Sequence, residues 1–135
     1  MKKFGILLAV IATLAVGCLI GRNTIEAGGS KAKGLSHDVF FTLKDSSPEA
    51  RQNLIDSCYK HLTKHEGEVF FSAGEVVGEL KREVNDRDWD VALHIVFRDM
   101  AAHDKYQDHP RHHDFIKEGK DNWKKVRVFD SWVAR

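Results

Sequence analysis

Between residues 37 and 44 (HDVFFTLK) apolar and polar side chains alternate with a period of two, placing His37, Val39, Phe41 and Leu43 on one face of a strand. Phe40 makes the opposite face partly apolar, so this strand is expected to be covered on both sides. Ser47 followed by Pro48 supplies a helix cap and first turn. Leu54, Ile55, Cys58, Tyr59 and Leu62 then recur at helical spacing and predict a helix running to about residue 64. Residues 69–77, entered at Gly67, are rich in Val and Phe, and the polar stretch 81–88 separates them from 89–97. In the latter, Trp89, Val91, Leu93, Ile95 and Phe97 share one face, and Asp90, Ala92, His94 and Val96 share the other. These are two further strands, joined as a hairpin. Asp99 is positioned to cap a short helix over 100–108, Pro110 opens another that reaches about residue 122, and 126–133 alternates as a last strand.

The order β-α-β-β-α-α-β predicts an α+β domain of ferredoxin-like type, an antiparallel sheet with its helices on one face. The other face then needs cover. Phe40, Phe70 and Val96 are apolar positions facing away from the helices, which suits a sheet packing on a second copy of itself, so a homodimer is expected.

The domain does not account for the whole chain of 135 residues. Residues 1–22 open with Lys2 and Lys3, run uncharged and apolar over 4–20 and close on Arg22, the layout of a signal peptide or a short membrane anchor. The expectation is an exported bacterial protein, extracytoplasmic or held to the membrane by this segment alone. Cys18, after Leu14-Ala15-Val16-Gly17, stands where a lipobox would be lipidated, although Ala15 occupies the usual Leu position; cleavage, lipidation and retention all stay open. Residues 23–36 are rich in Gly, Ser, Ala and Lys and read as a flexible linker, with the folded domain expected over 37–135.

From residue 36 onward there are 16 Lys and Arg against 19 Asp and Glu, a net charge of −3 with the signs interspersed, which argues against a nucleic-acid partner. Cys58 stands alone in the domain, so no internal disulfide can hold it together and packing must.

Chemistry concentrates in Tyr106-Gln107-Asp108-His109-Pro110-Arg111-His112-His113, at a junction between two helices. His112 precedes Phe115 by three positions and Ile116 by four, so it falls on the apolar face of its helix, whereas His113 points to solvent. A partly buried imidazole can take a proton from a carbon beside a carbonyl near neutral pH, and a phenol can stabilise the enolate oxygen that results. The same two rings could instead bond to each other and merely close the core. His61 and His65 lie four apart at a helix end, with His103 and His113 adding to the count, but no carboxylate or Cys completes a metal site in the sequence, and exposed His at a helix C-terminus is ordinary. No metal is expected.

Trp89-Asp90-Val91-Ala92-Leu93 with Phe97, Tyr106-x-x-His109-Pro110-x-His112 with Phe115, and Val126 to Asp130 resemble the stress-responsive dimeric α/β-barrel (Dabb) family, as do HDVFFTLK and Gly67 to Gly74. The resemblance spans nearly all of residues 37–133. It implies a dimeric α/β barrel in which the sheets pair, a family that includes plant stress proteins and a polyketide cyclase. By similarity to that cyclase, His112 would be a general base and Tyr106 would assist at a carbonyl oxygen, with no cofactor. The same similarity makes His37, Val39, Phe41, Ile55, Tyr59, Leu93, Phe115, Trp123, Val126 and Val128 the lining of a pocket for a small apolar ligand between sheet and helices. Large residues such as Phe41 and Trp123 could also fill that space. The expected function is therefore a ligand-binding barrel domain, with a cofactor-independent cyclase or lyase as the alternative. The related monooxygenase-type barrels, some of them haem-dependent, fit His-Pro-x-His less well.

Overall fold

A computed structural model of the protein describes residues 33–134. The expectations for residues 1–22, for Cys18 and for most of the 23–36 linker lie outside those residues. The elements run β1 (Leu35–Leu43), α1 (Pro48–His61), β2 (Glu68–Glu75), β3 (Val91–Phe97), α2 (Met100–Gln107), α3 (Pro110–Gly119), a 3-10 turn (Lys120–Asn122) and β4 (Trp123–Trp132). The four strands form one sheet in the order β2-β3-β1-β4, every pairing antiparallel. This is the ferredoxin-like α+β arrangement expected from the sequence, with the helices on one face.

Local chemistry accounts for where the helices start. The Ser47 hydroxyl accepts from Ala50 N ahead of Pro48, Asp99 accepts from Ala102 N at 2.8 Å, and His109 Nδ1 accepts from Arg111 N ahead of Pro110. Each cap satisfies one of the amides a helix start leaves unpaired. Helix α1 stops at His61, about one turn earlier than its apolar spacing suggests, and Lys64 takes the left-handed conformation at φ 63°. Gly67, at φ 84°, then turns the chain into β2 and lets Arg98 N reach its carbonyl at 2.9 Å.

The core lies between the sheet and the helices. Val39, Phe41 and Leu43 from β1, with Val91, Leu93, Ile95 and Phe97 from β3, meet Leu54, Cys58, Leu62, Ala102, Tyr106 and Phe115. Cys58 is wholly buried, and burial pushes its thiol up to about 12, so it packs as a small apolar group. Strand β1 alternates buried and half-buried throughout, and it begins at Leu35 rather than at His37 because Leu35 is itself in the core.

The expectation that Trp89 continues the core face of β3 is not met. The strand begins at Val91; just before it, the Asp90 backbone still donates to Phe41 O at 2.8 Å and accepts from Val76 N at 3.1 Å, while its buried side chain accepts the amide of Leu43 at 2.8 Å and pairs with Arg51 of α1 at 3.0 Å. Trp89 swings to the opposite face and packs edge-on against Phe40, ring centroids 5.2 Å apart. That helix-free face also carries Phe129 (54% exposed) and Phe70 (53% exposed), the former 5.7 Å from Phe40.

Candidate functional site

Strand β4 is the sheet edge beside β1, with Val39 opposite Val128, Phe41 opposite Val126 and His37 opposite Asp130. Its helix-facing side chains are only half covered: Val126 is 40% exposed and Val128 49%. Helix α3 reaches over part of this edge because Phe115 buries against the core while Glu118 ties the helix to α1, accepting from Lys60 Nζ at 2.9 Å and His61 Nε2 at 2.8 Å. Arg111 adds a second tie, donating to the carbonyls of Lys60 and Thr63 at the end of α1. Between β1, β3 and β4 below and α2 and α3 above remains a cavity of about 300 Å³.

The cavity is walled by His37, Val39, Phe41, Leu93, Tyr106, His112, Phe115, Trp123, Val126 and Val128, all of them positions singled out in the sequence. Phe41, Phe115 and Trp123 form an aromatic cluster at one end, with centroids 5.1 to 6.0 Å apart, and do not fill the space. Gly119 makes room for this cluster, since a Cβ there would come within 2.8 Å of the Trp123 ring. Two expected lining residues are elsewhere. Tyr59 is 50% exposed and packs edge-on against Phe71, ring centroids 5.1 Å apart, because α1 lies over β2 and β3 rather than over the β4 edge. Ile55 packs against the core from the same helix without reaching the cavity. Four lining residues were missed by sequence reasoning: His103, Gln107, Ile116 and Asp130. Helical spacing could have found Ile116, one turn beyond His112, but Asp130 enters only through its register opposite His37.

Tyr106 and His112 are in contact at a tilt, with ring centroids 4.6 Å apart and planes 46° apart. They are not hydrogen-bonded to each other. The His112 ring donates from Nδ1 to the carbonyl of Gln107 at 3.0 Å, which fixes the tautomer and leaves Nε2 with its lone pair. Burial lowers the His112 pKa below the usual 6.5, outweighing that backbone bond, and the charges of His113, His37 and His65 act in the same direction. The imidazole is therefore neutral at pH 7, with Nε2 unprotonated. Tyr106 is 1% exposed, burial pushes its phenol well above the ordinary 10, and among the described residues its hydroxyl has no hydrogen-bond partner. It stays protonated and free to donate.

The remaining histidines correct the sequence expectation of exposed helix-end imidazoles. His61 and His65 are both buried; His61 donates to Glu118, and His65 Nε2 donates to the His61 carbonyl at 2.9 Å. Their rings serve the α1–α3 seam and do not converge on one point. His37 donates from Nδ1 to Asp130 at 2.7 Å, and its ring lies 5.2 Å from that of His103. His109 caps α3, and His113 is exposed.

The sequence profile of the stress responsive A/B barrel domain matches residues 35–133. Among curated proteins, no relative matches the chain. Solved structures do: a dabb family protein with a ferredoxin-like fold from Mesorhizobium loti is 24% identical, with TM-score 0.63 over 76% of this chain and 99% of that one. A dimeric ferredoxin-like protein of unknown function from Thermobifida fusca is 17% identical, with TM-score 0.65 over 76% and 93%. The hydroxynitrile lyase from Passiflora edulis is 17% identical, with TM-score 0.64 over 76% and 94%. With this profile match, the element order and the sheet topology in agreement, the chain belongs to the stress responsive A/B barrel domain family.

Proposed function

We propose that the protein binds a small, largely apolar ligand carrying an oxygen acceptor in the cavity between β4 and helices α2 and α3. The observation that carries this reading is an apolar cavity of about 300 Å³ with an unbonded phenol and a tautomer-fixed imidazole on its wall. Burying about 150 Å² of such a ligand contributes roughly 4 kcal/mol before association costs, so affinity depends on what the two polar groups add. The test is a thermal-shift screen of small aromatic and aliphatic carbonyl compounds on the full chain in mild detergent. Stabilisation by carbonyl compounds is expected in the wild type and diminished in His112→Ala. Stabilisation indifferent to that change would remove the site.

A second reading, a cofactor-independent lyase or cyclase, is favoured by one feature: the His112 Nε2 lone pair and the Tyr106 hydroxyl belong to rings in contact. An acidic C–H beside a carbonyl could pass its proton to Nε2 while Tyr106 donates to the forming oxyanion. Deuterium exchange at that carbon in phenylacetone, followed by NMR, should be accelerated by the wild type and not by His112→Gln. No acceleration by the wild type would leave binding alone.

The helix-free sheet face supports a homodimer. Four strands of about eight residues present roughly 500 Å² per protomer, about 1,000 Å² in a pair, at the threshold of a specific interface. Phe40, Trp89, Phe129 and Phe70 supply its apolar centre. The full chain in density-matched detergent should sediment as a dimer, and Phe129→Asp should release monomers; a wild-type monomer would overturn this. The protein is further read as extracytoplasmic, delivered or anchored by residues 1–22. Among the described residues no helix is long and apolar enough to cross a membrane. Mass spectrometry of the cell-fractionated protein would show whether it is cleaved, lipidated at Cys18 or intact.

A further inference from the structure

The rim of the cavity carries a second set of groups. His37 from β1, Asp130 from β4 and His103 from α2 converge there, and one nitrogen of each imidazole and one Asp130 carboxylate oxygen lie within 4.8 Å of one another. All three residues line the cavity. The geometry points to a divalent transition-metal site built from His37, His103 and Asp130, with its open coordination positions facing the cavity.

The donor set decides the class of ion. Two imidazoles and one carboxylate suit zinc, iron(II), cobalt(II) or nickel(II), whereas magnesium and calcium prefer all-oxygen cages. Three protein ligands leave room for at least one more, as in catalytic rather than structural sites. With metal–ligand bonds of about 2.0–2.2 Å, the donor atoms must close to roughly 3 Å from one another. The Asp130 side chain can make that movement, being 48% exposed on an edge strand, while His37 stays fixed at 6%.

The neighbouring polar groups prepare the rings. His103 Nδ1 donates to Asp104 at 3.3 Å, and the Gln107 amide donates to His103 Nε2 at 3.1 Å, so the Nε2 lone pair is free of a proton and engaged by a replaceable donor. A carboxylate behind a ligating imidazole fixes its tautomer and raises its basicity. The place of the ion also names the ligand it would add: an apolar molecule with a carbonyl, hydroxyl or carboxylate oxygen that reaches the rim while its body occupies the cavity. Cobalt alone tests the site, so the outcome does not depend on the ligand reading above.

Cobalt(II) added to the full chain in detergent should produce saturable visible d–d bands at one ion per chain, and zinc should displace it. His103→Gln and Asp130→Asn should each weaken binding at least tenfold, in the range seen when groups around a metal are removed, while His61→Gln leaves it unchanged. In the wild type, cobalt should broaden the imidazole NMR signals of His37 and His103 before those of His61, His65 and His113, a readout that holds even if a variant folds poorly. The proposal fails if cobalt does not saturate, if both variants bind as the wild type does, or if His61 or His113 is broadened first.

Discussion

Replacing Tyr106 by Phe separates a functional phenol from a structural one. The ring is 1% exposed and packs against Phe97, His65 and His112 at centroid distances of 5.0, 5.0 and 4.6 Å, all of which Phe keeps. The hydroxyl has no partner among the described residues, and Tyr106 is part of the cavity wall. Its removal should therefore change stability by no more than about 0.5 kcal/mol. Had it bonded to His112, the loss would be about 1 kcal/mol for the bond and more for the imidazole left unpaired. In a domain of about 100 residues 1 kcal/mol shifts Tm by about 4–8 °C, so the two cases are distinguishable by calorimetry at fixed protein concentration. The carbonyl-bearing ligand, by contrast, loses a hydrogen bond worth about 0.5–1.5 kcal/mol, a two- to roughly tenfold weakening. A hydrocarbon of the same shape should bind both proteins equally. A Tm drop beyond about 4 °C, or unchanged carbonyl affinity, would refute the assignment of Tyr106 to the ligand.

Three other outcomes are expected. Gly67→Ala should destabilise by about 2–4 kcal/mol in urea denaturation, since φ is +84° and the new Cβ would meet the Ala102 Cβ at 2.5 Å; because Ala102 lies one turn before Tyr106 on α2, ligand affinity should fall as well. Asp90→Ala should cost about 3 kcal/mol by the same measurement, leaving the buried Leu43 amide unpaired and Arg51 without its nearer carboxylate; a loss below 1 kcal/mol would contradict the part given to the Asp90 side chain in tying β1 and α1 to the start of β3. Stability followed against pH should fall first as pH drops below about 6.5, because burial holds His65 and His112 below that value and the unfolded chain takes protons the native one refuses, at most about 1.4 kcal/mol per pH unit for each. A second loss, below 4.5, follows from Glu66 and Glu118, whose carboxyls are held down by Lys105 and by Lys60 and His61 respectively. Stability unchanged between pH 7 and 5.5 would count against the buried, neutral state of the two histidines.

Much of the fold was legible because it is local. The period-two run from His37 to Leu43, the caps at Ser47, Asp99 and His109, and the strand run that reaches Phe97 each declare themselves within a few residues. The candidate pair Tyr106 and His112 was legible for the same reason, being six positions apart at one helix junction. Where the sequence misled, a distant partner had intervened. The Asp90 side chain is held on the helix side by Leu43 N and Arg51, and Trp89 before it lies on the opposite face, against its alternation. His61 and His65 looked like exposed helix-end residues until Glu118 and the packing of α3 buried them.

The sequence by itself determined which face of each element is apolar, and so the element order and the two-layer architecture, because side-chain period is fixed by backbone geometry alone. It could not say where along the sheet each helix would rest or which strand edge would stay uncovered. Those depend on register and on the packing of side chains far apart in the chain. The tertiary structure put Tyr59 outside the cavity, left β4 half covered so that a cavity exists at all, and set Asp130 opposite His37 with His103 above them. Helix α1 seats over β2 and β3, and α3 is tied back to α1 through Glu118 and Arg111. The space beside them, where the chemistry converges, is what that packing leaves open.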